Sequence, residues 1–179
     1  MMRPKGTWKR PAAAACAAAL VLAAGGCGYR LRGTGSALPP AIRTVSVPVF
    51  KNQTTRYELD VKLTRAVIDE LVSRGKVRVG ADPAASDAVL EGEITGFIAN
   101  PIGFTGGNQA DRYSIAVTAR VTLKDRASAK ALFTNPSFIY QQEYSVPPGT
   151  SFEAVQSEAI DQIALKFARS LVVSILEGF

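Results

Sequence analysis

Residues 112–124 alternate between apolar and mainly polar side chains, and this pattern predicts a long strand with one buried face. Successive side chains of a strand point to opposite faces of a sheet, so every second residue shares a face. The predicted buried residues are Tyr113, Ile115, Val117, Ala119, Val121 and Leu123. The predicted solvent-facing residues are Arg112, Ser114, Thr118, Arg120, Thr122 and Lys124.

A second alternating stretch, residues 86–100, predicts a neighbouring strand. Its solvent-facing residues are Glu91, Glu93 and Thr95. Its inward-facing residues are Ala88, Leu90, Gly92, Ile94, Gly96 and Ile98. The glycine-rich residues 101–108 then predict a flexible loop, and the charged residues 125–130 predict the tip of a hairpin.

Three further stretches predict shorter strands. An apolar stretch at 42–50 predicts a first strand, in which Pro48 favours an edge position or the end of the strand, and residues 51–54 predict a turn. Residues 77–79 predict a short strand. Residues 132–145 predict a strand that returns from the hairpin and breaks at Asn135 and Pro136.

Two stretches repeat apolar residues at helical spacing. Thr55 and Glu58 fit a capping box, which predicts a helix over 56–74 that ends at Gly75. A second capping box at 150–153 predicts a long helix that continues through Ile175. This helix becomes more apolar towards its end, which predicts that its last turns are buried.

Without the short strand at 77–79, the predicted order is β-α-β-β-β-α. Two helices on one face of a mixed sheet of about four strands predict a two-layer α/β (α+β) sandwich. We interpret residues 41–179 as a single domain. The two helices cover one face of the sheet, so the other face is left for water or a polar partner.

The N-terminal residues predict an export signal. A basic segment containing Arg3, Lys5, Lys9 and Arg10 precedes the uncharged residues 11–24, which are too short to span a membrane. Residues 24–27 read Ala-Gly-Gly-Cys and resemble a bacterial lipobox, although Ala24 stands where leucine is usual. We expect a lipoprotein signal peptide over 1–26, an acylated Cys27 and a tether over 27–40. The alternative is a general secretory signal with an incidental cysteine.

Composition excludes several classes of function. The chain contains no His, so it has no Ser-His or Cys-His dyad. Four of its 21 Lys and Arg residues, and none of its 15 Asp and Glu residues, precede Cys27, which leaves 17 bases and 15 acids, a net charge of about +2, for the remainder. That small excess does not indicate a nucleic-acid partner. We predict no enzymatic activity, no metal and no cofactor.

The basic residues of the long strand are the candidate site. Arg112, Arg120 and Lys124 share its predicted solvent face, and Arg126 and Lys130 lie in the hairpin that follows. Such residues bind phosphates or carboxylates of an anionic ligand. The alternative is a solvated face that is balanced by Glu91 and Glu93.

Three blocks of sequence resemble the family of the lipopolysaccharide-assembly lipoprotein LptE. They are Cys-Gly-Tyr-Arg-Leu-Arg-Gly at 27–33, Leu38-Pro39 followed by 42–54 and Tyr57-Glu58, and the strand at 86–94. The resemblance implies a lipid-anchored protein of the Gram-negative outer membrane, facing the periplasm. It further implies that the protein plugs the β-barrel LptD, helps this barrel to assemble and binds lipopolysaccharide, whose phosphorylated part we expect the five basic residues to contact.

A competing class remains open at this point. Residues 47–52 also resemble the strand and turn of other periplasmic lipoproteins, namely curli-secretion pore subunits and activators of peptidoglycan synthases. Those proteins would act as a pore former or as a regulatory binding module.

Overall fold

The computed structural model of the chain describes residues 38–178. The predicted signal peptide, Cys27 and most of the predicted tether therefore lie outside the described residues. The elements in chain order are β1 (Thr44–Ser46), β2 (Lys51–Asn52), α1 (Leu59–Arg74), β3 (Arg78–Gly80), β4 (Ala88–Phe104), β5 (Ala110–Asp125), β6 (Ala131–Ser145) and α2 (Phe152–Glu177).

The six strands form one mixed sheet in the order β3-β1-β4-β5-β6, and β2 pairs with β4 further along that strand. β1 runs parallel to β3 and β4, and β2 also runs parallel to β4. The long strands β4, β5 and β6 form an antiparallel meander. The α+β fold class with two helices and a mixed sheet is confirmed, and the sheet has six strands where about four were predicted.

The helices cover the face of the sheet that carries the alternating apolar residues of β5. Phe152 at the start of α2 stacks on Tyr113, with 4.3 Å between ring centroids. Phe167, further along α2, meets Phe138 of β6 edge to face at 5.2 Å. Because Tyr113 is near the start of β5 and Phe138 pairs with Ala119, α2 runs towards the end of the sheet where β5 ends. Lys62 Nζ of α1 lies 2.6 Å from Asp161 Oδ1 and joins the helices.

The predicted capping box of the first helix is wrong. α1 begins at Leu59, and Glu58 precedes it in the left-handed conformation (φ 58°) without a side-chain cap. Asn52 Oδ1 accepts hydrogen bonds from both the backbone N–H and the hydroxyl of Thr54, and this turn delays the start of the helix. The predicted end at Gly75 is confirmed by its φ of 61° and its N–H donation to the Val72 carbonyl.

The second helix is confirmed with a shifted cap. α2 begins at Phe152, and its N-cap is Ser151, whose Oγ accepts from Ala154 N at 3.4 Å. Its last turns are buried as predicted, through Leu171, Val172, Ile175 and Leu176.

A bulge changes the pattern of β4. Ile94 pairs with Ala119 but Gly96 pairs with Thr118, so Thr95 is an extra residue that reverses the alternation. The prediction that Ile98 faces inward is therefore wrong: its side chain is 55% exposed, whereas Phe97 packs against the core.

Three predicted boundaries also change. The predicted loop at 101–108 is wrong over 101–104, which continue β4 in pairing with β5. The predicted break at Asn135 and Pro136 is an irregularity of register inside a continuous β6. Within the predicted first strand at 42–50 only β1 forms, because Pro48 lacks the N–H that pairing needs. Lys51 and Asn52, which were predicted to lie in a turn, form β2.

Candidate functional site

The face of the sheet that points away from the helices carries the predicted solvent-facing residues of β5. We call this surface the open face. Residues that pair across strands share a face, so Glu93 lies beside Arg120, and Val89 lies beside Lys124. Across the other edge of β5, Thr118 pairs with Ile139 and Ala116 with Gln141 of β6.

The bases of the open face are already paired with carboxylates. Lys124 Nζ lies 2.6 Å from Glu91 Oε2, and Arg120 Nη1 forms an ion pair with Glu93 Oε2. Gln53 Nε2 donates to the other oxygen of Glu93. The Lys124 and Arg120 side chains are 45% and 56% exposed, so water screens both pairs. This arrangement matches the alternative of a solvated, charge-balanced face.

A shallow groove of about 330 Å³ runs beside these ion pairs. Its lining consists of Pro48, Val49, Lys51, Glu91, Gly92, Glu93, Arg120 and Thr122. Lys51 has no ion-pair partner among residues 38–178 and adds an exposed ammonium to the groove. The buried ring of Phe50 lies only 2.6 Å from the position that a Cβ of Gly92 would take. Because Gly92 has no Cβ, this ring can pack against β4 and bring β2 close to it.

Beyond these ion pairs, the β4 side of the open face is uncharged. Residues 94–110 contain no Asp, Glu, Lys or Arg. Ile98 and Ile139 are 55% and 60% exposed, and they lie beside Ala116 and Thr118 on either edge of β5. The open face therefore has an ion-paired half near the end of β5. The half towards the β4–β5 turn carries two charges, Arg112 of β5 and Glu143 of β6, which pairs with Ser114.

Arg112 does not join the other bases. It lies eight residues from Arg120 on the same strand, which is a distance of about 27 Å. It pairs across the sheet with Gly103 and Ser145, and the missing side chain of Gly103 leaves room for its Nε. Its exposed side chain has no ion-pair partner in the described part of the chain.

Arg126 and Lys130 lie at the end of the sheet, beyond the open face. They belong to the turn between β5 and β6, in which Asp125 N donates to the Lys130 carbonyl. Arg126 Nε donates to the Ser86 carbonyl at 2.9 Å, and Arg126 N donates to the Asp87 carbonyl at the same distance. The five predicted residues thus occupy three separate places.

The same end of the sheet gathers three bases that the sequence analysis did not single out. Arg43, Lys76 and Arg78 all have exposed side chains there. Arg78 N donates to the Arg43 carbonyl at 2.8 Å, and Thr44 pairs with Arg78 in the parallel register. We call the set Arg43, Lys76, Arg78, Arg126 and Lys130 the basic pole.

Two carboxylates of the basic pole, Asp87 and Asp125, accept hydrogen bonds from neighbouring backbone and hydroxyl groups. Asp87 Oδ2 accepts from the Thr44 hydroxyl, the Arg43 N–H and the Thr44 N–H at 2.8 to 3.0 Å. These bonds, led by the hydroxyl, lower the pKa of Asp87, and the charge of Arg126 adds to the effect. Hydrogen bonds from Ser128 and Ala127 likewise lower the pKa of Asp125.

Two further properties concern the whole described range. Within residues 38–178 no three His, Cys, Asp or Glu side chains are close enough to hold a metal ion. None of the helices described is long and apolar enough to cross a membrane.

The fold and the site define a small α+β domain in which the helices among residues 38–178 cover one face of the sheet. The family model described as LptE, lipopolysaccharide-assembly, matches residues 42–175. The chain belongs to this family, which is that of a lipopolysaccharide-assembly lipoprotein. No curated protein matches the chain.

Several solved structures are similar in fold. The hypothetical protein CT253 from Chlamydia trachomatis is 14% identical, with a TM-score of 0.52 over 78% of this chain and 98% of that one. The rare lipoprotein B from Shewanella oneidensis is 16% identical, with a TM-score of 0.43 over 74% and 96%. The PelC dodecamer from Paraburkholderia phytofirmans is 14% identical, with a TM-score of 0.40 over 75% and 92%.

Proposed function

We propose that this chain is a non-catalytic lipoprotein of the outer membrane that plugs the β-barrel LptD, assists its assembly and binds lipopolysaccharide. The acylated Cys27 would anchor it on the periplasmic side. The family match over residues 42–175 is the observation that carries this proposal, because it covers nearly all of the described domain.

The open face is the surface that we assign to the barrel, with lipopolysaccharide bound between the two. Three strands of 15 to 17 residues present roughly 700 Å² at the usual strand spacing and rise. One partner of a stable protein interface buries about 800 Å². The open face is therefore large enough to account for most of one side of such an interface.

Lipopolysaccharide matches the two halves of the open face. Its phosphates would exchange for the carboxylates that now hold Arg120 and Lys124, with Lys51 as a third base. Its acyl chains would lie beside the exposed side chains of Ile98 and Ile139. We place Arg112, Arg126 and Lys130 outside this site because the structure separates them from Arg120 and Lys124.

Copurification from solubilised membranes tests the barrel partnership. We expect LptD in stoichiometric amount with this chain. A homo-oligomeric ring or a peptidoglycan synthase in its place would overturn the assignment and support the competing classes of lipoprotein.

Charge reversal tests the lipopolysaccharide site. In the double variant Arg120→Glu and Lys124→Glu, four carboxylates face one another, and we expect the affinity for lipopolysaccharide to fall at least about tenfold at low salt. The matched control is Arg65→Glu with Lys166→Glu, two exposed bases on the helices. Unchanged affinity in the first variant, with unchanged circular dichroism, would exclude this site.

The anchor is tested by Cys27→Ser. A lipoprotein that loses its acylated cysteine should appear in the soluble periplasmic fraction or accumulate as an uncleaved precursor. A variant that fractionates and migrates as the parent does would show that Cys27 is not the anchor.

A further inference from the structure

The basic pole is a surface feature that the lipopolysaccharide site does not use. A series of backbone hydrogen bonds joins its parts: Arg78 N to the Arg43 carbonyl, Asp87 N to the Thr44 carbonyl, and Arg126 N to the Asp87 carbonyl. The two short strands and the β5–β6 turn are thus held side by side. The five bases come from three parts of the chain and are presented by one rigid edge.

The charge of the basic pole is not balanced locally. Five bases face two ionised carboxylates, Asp87 and Asp125, and Asp82 lies in the adjoining β3–β4 loop, so the bases outnumber these acids by two. α2 runs towards this end of the sheet, and its last residue, Glu177, contributes a further carboxylate. At the end of α1, Arg74 forms an ion pair with Glu70 at 2.7 Å. No ion pair occupies Arg43, Lys76, Arg78, Arg126 or Lys130 within residues 38–178.

The chain enters the described domain at this same end. β1 begins at Thr44, directly after Arg43, and the first described residue, Leu38, lies six residues before it. The eleven residue steps from Cys27 to Leu38 span at most about 40 Å even when fully extended. A lipid attached to Cys27 therefore keeps the basic pole within a few nanometres of the membrane surface.

We propose, building on the anchor assigned to Cys27, that the basic pole docks on the anionic phospholipid headgroups of the membrane that holds this anchor. Each Lys or Arg close to an anionic membrane surface strengthens binding roughly fivefold, and the attraction falls off within a Debye length. An acyl anchor combined with a basic patch is a general means of stable membrane attachment. The docked pole would leave the open face free for the barrel.

Vesicle binding tests this proposal without the anchor. The protein is the chain from residue 27 onward with Cys27→Ser, so that only its surface can bind. We expect it to sediment with vesicles that contain phosphatidylglycerol, much less with vesicles of phosphatidylcholine alone, and less as salt is raised. The double variant Arg78→Glu and Lys130→Glu should lower the partition coefficient at least about tenfold.

The controls separate position from net charge. Arg65→Glu with Lys166→Glu changes the net charge equally at exposed sites on the helices, and we expect its binding to stay within about twofold of the parent. Equal losses in both variants, or a parent that does not distinguish the two vesicle types, would overturn the proposal. So would a pole variant that still binds these vesicles and loses only lipopolysaccharide. Since the assay contains neither acyl anchor nor barrel, its failure leaves the copurification test of the proposed function unaffected.

Discussion

The open face and the basic pole both expose arginine and lysine, but among the described residues of these two surfaces, ion pairs with carboxylates form only on the open face, at Arg120 and Lys124. On the open face the antiparallel register sets Glu93 beside Arg120, and Glu91 reaches Lys124. At the basic pole the carboxylate of Asp87 accepts hydrogen bonds from N–H and hydroxyl groups and forms no ion pair within residues 38–178. The comparison shows that the availability of a surface charge depends on what the neighbouring strand presents.

The largest expected effect comes from the core that supports both regions. Phe167 is fully buried against Phe138, so Phe167→Ala should lower the free energy of unfolding by about 3–5 kcal/mol. Urea unfolding measures this, with the 62% exposed Leu165→Ala on the same helix as a control that should change it by less than about 0.5 kcal/mol. Equal effects of the two substitutions would contradict the assigned packing.

The next largest effect on stability comes from the contact between Gly92 and Phe50, on the buried side of the sheet. A Cβ at Gly92 would lie 2.6 Å from the ring of buried Phe50, so Gly92→Ala should destabilise the domain by about 1–3 kcal/mol. Adding Phe50→Leu should recover part of this loss, since a smaller side chain leaves room. In the same strand, a Cβ at Gly96 meets Thr118 at an ordinary 3.5 Å, and Gly96→Ala should be close to neutral. Similar losses at both glycines would be inconsistent with close packing of β2 on β4.

The third effect belongs to the basic pole and depends on pH. Because hydrogen bonds lower the pKa of Asp87 in the folded state, its ionised form stabilises the fold above the unfolded pKa of about 3.9. That contribution is lost as the pH falls through the lower, folded pKa. Asp87→Asn should therefore lower Tm near neutral pH, and the difference from the parent should shrink below about pH 4. A difference that stays constant down to pH 2 would show that the carboxylate charge is not involved.

The smallest expected effect concerns the surface charges, and it compares the ion pairs of the open face with the bases of the basic pole. A double-mutant cycle with Glu91→Gln and Lys124→Gln should give a coupling energy below about 1 kcal/mol that decreases with salt, because both partners are about half exposed. At the basic pole, Arg78→Gln and Lys130→Gln should each be neutral or slightly stabilising, since they relieve repulsion between like charges. Chemical denaturation of the four single variants and the two doubles would measure both. A pole variant that loses more stability than the open-face pair would reverse the comparison.

Much of the fold could be predicted from periodicity. The buried face of β5, the end of α1 at Gly75 and the buried last turns of α2 all follow from spacing that one element contains within itself. The exceptions are local. Asn52 organises a turn that displaces the start of α1, and the extra residue Thr95 in β4 turns Ile98 outward. Neither a side-chain turn nor a bulge leaves a mark in the alternation of apolar residues.

The site was harder to predict because it depends on pairing between distant segments. The sequence identified Arg120 and Lys124 as neighbours on one face, and Glu91 and Glu93 as their possible partners. It gave no sign that Arg43 and Arg78, which are 35 residues apart, lie side by side, because parallel pairing of three-residue strands has no distinctive pattern. The basic pole is therefore visible only in the folded chain.

Depletion of this protein in its own cell is the most direct test of its assignment to lipopolysaccharide assembly. If it plugs LptD and assists its assembly, the amount of correctly folded barrel in the outer membrane should fall, because a partner that binds only the folded state stabilises that state. Lipopolysaccharide at the cell surface should fall with it, and the parent chain supplied from a plasmid should restore both. Unchanged levels of folded barrel and of surface lipopolysaccharide after depletion would contradict the account.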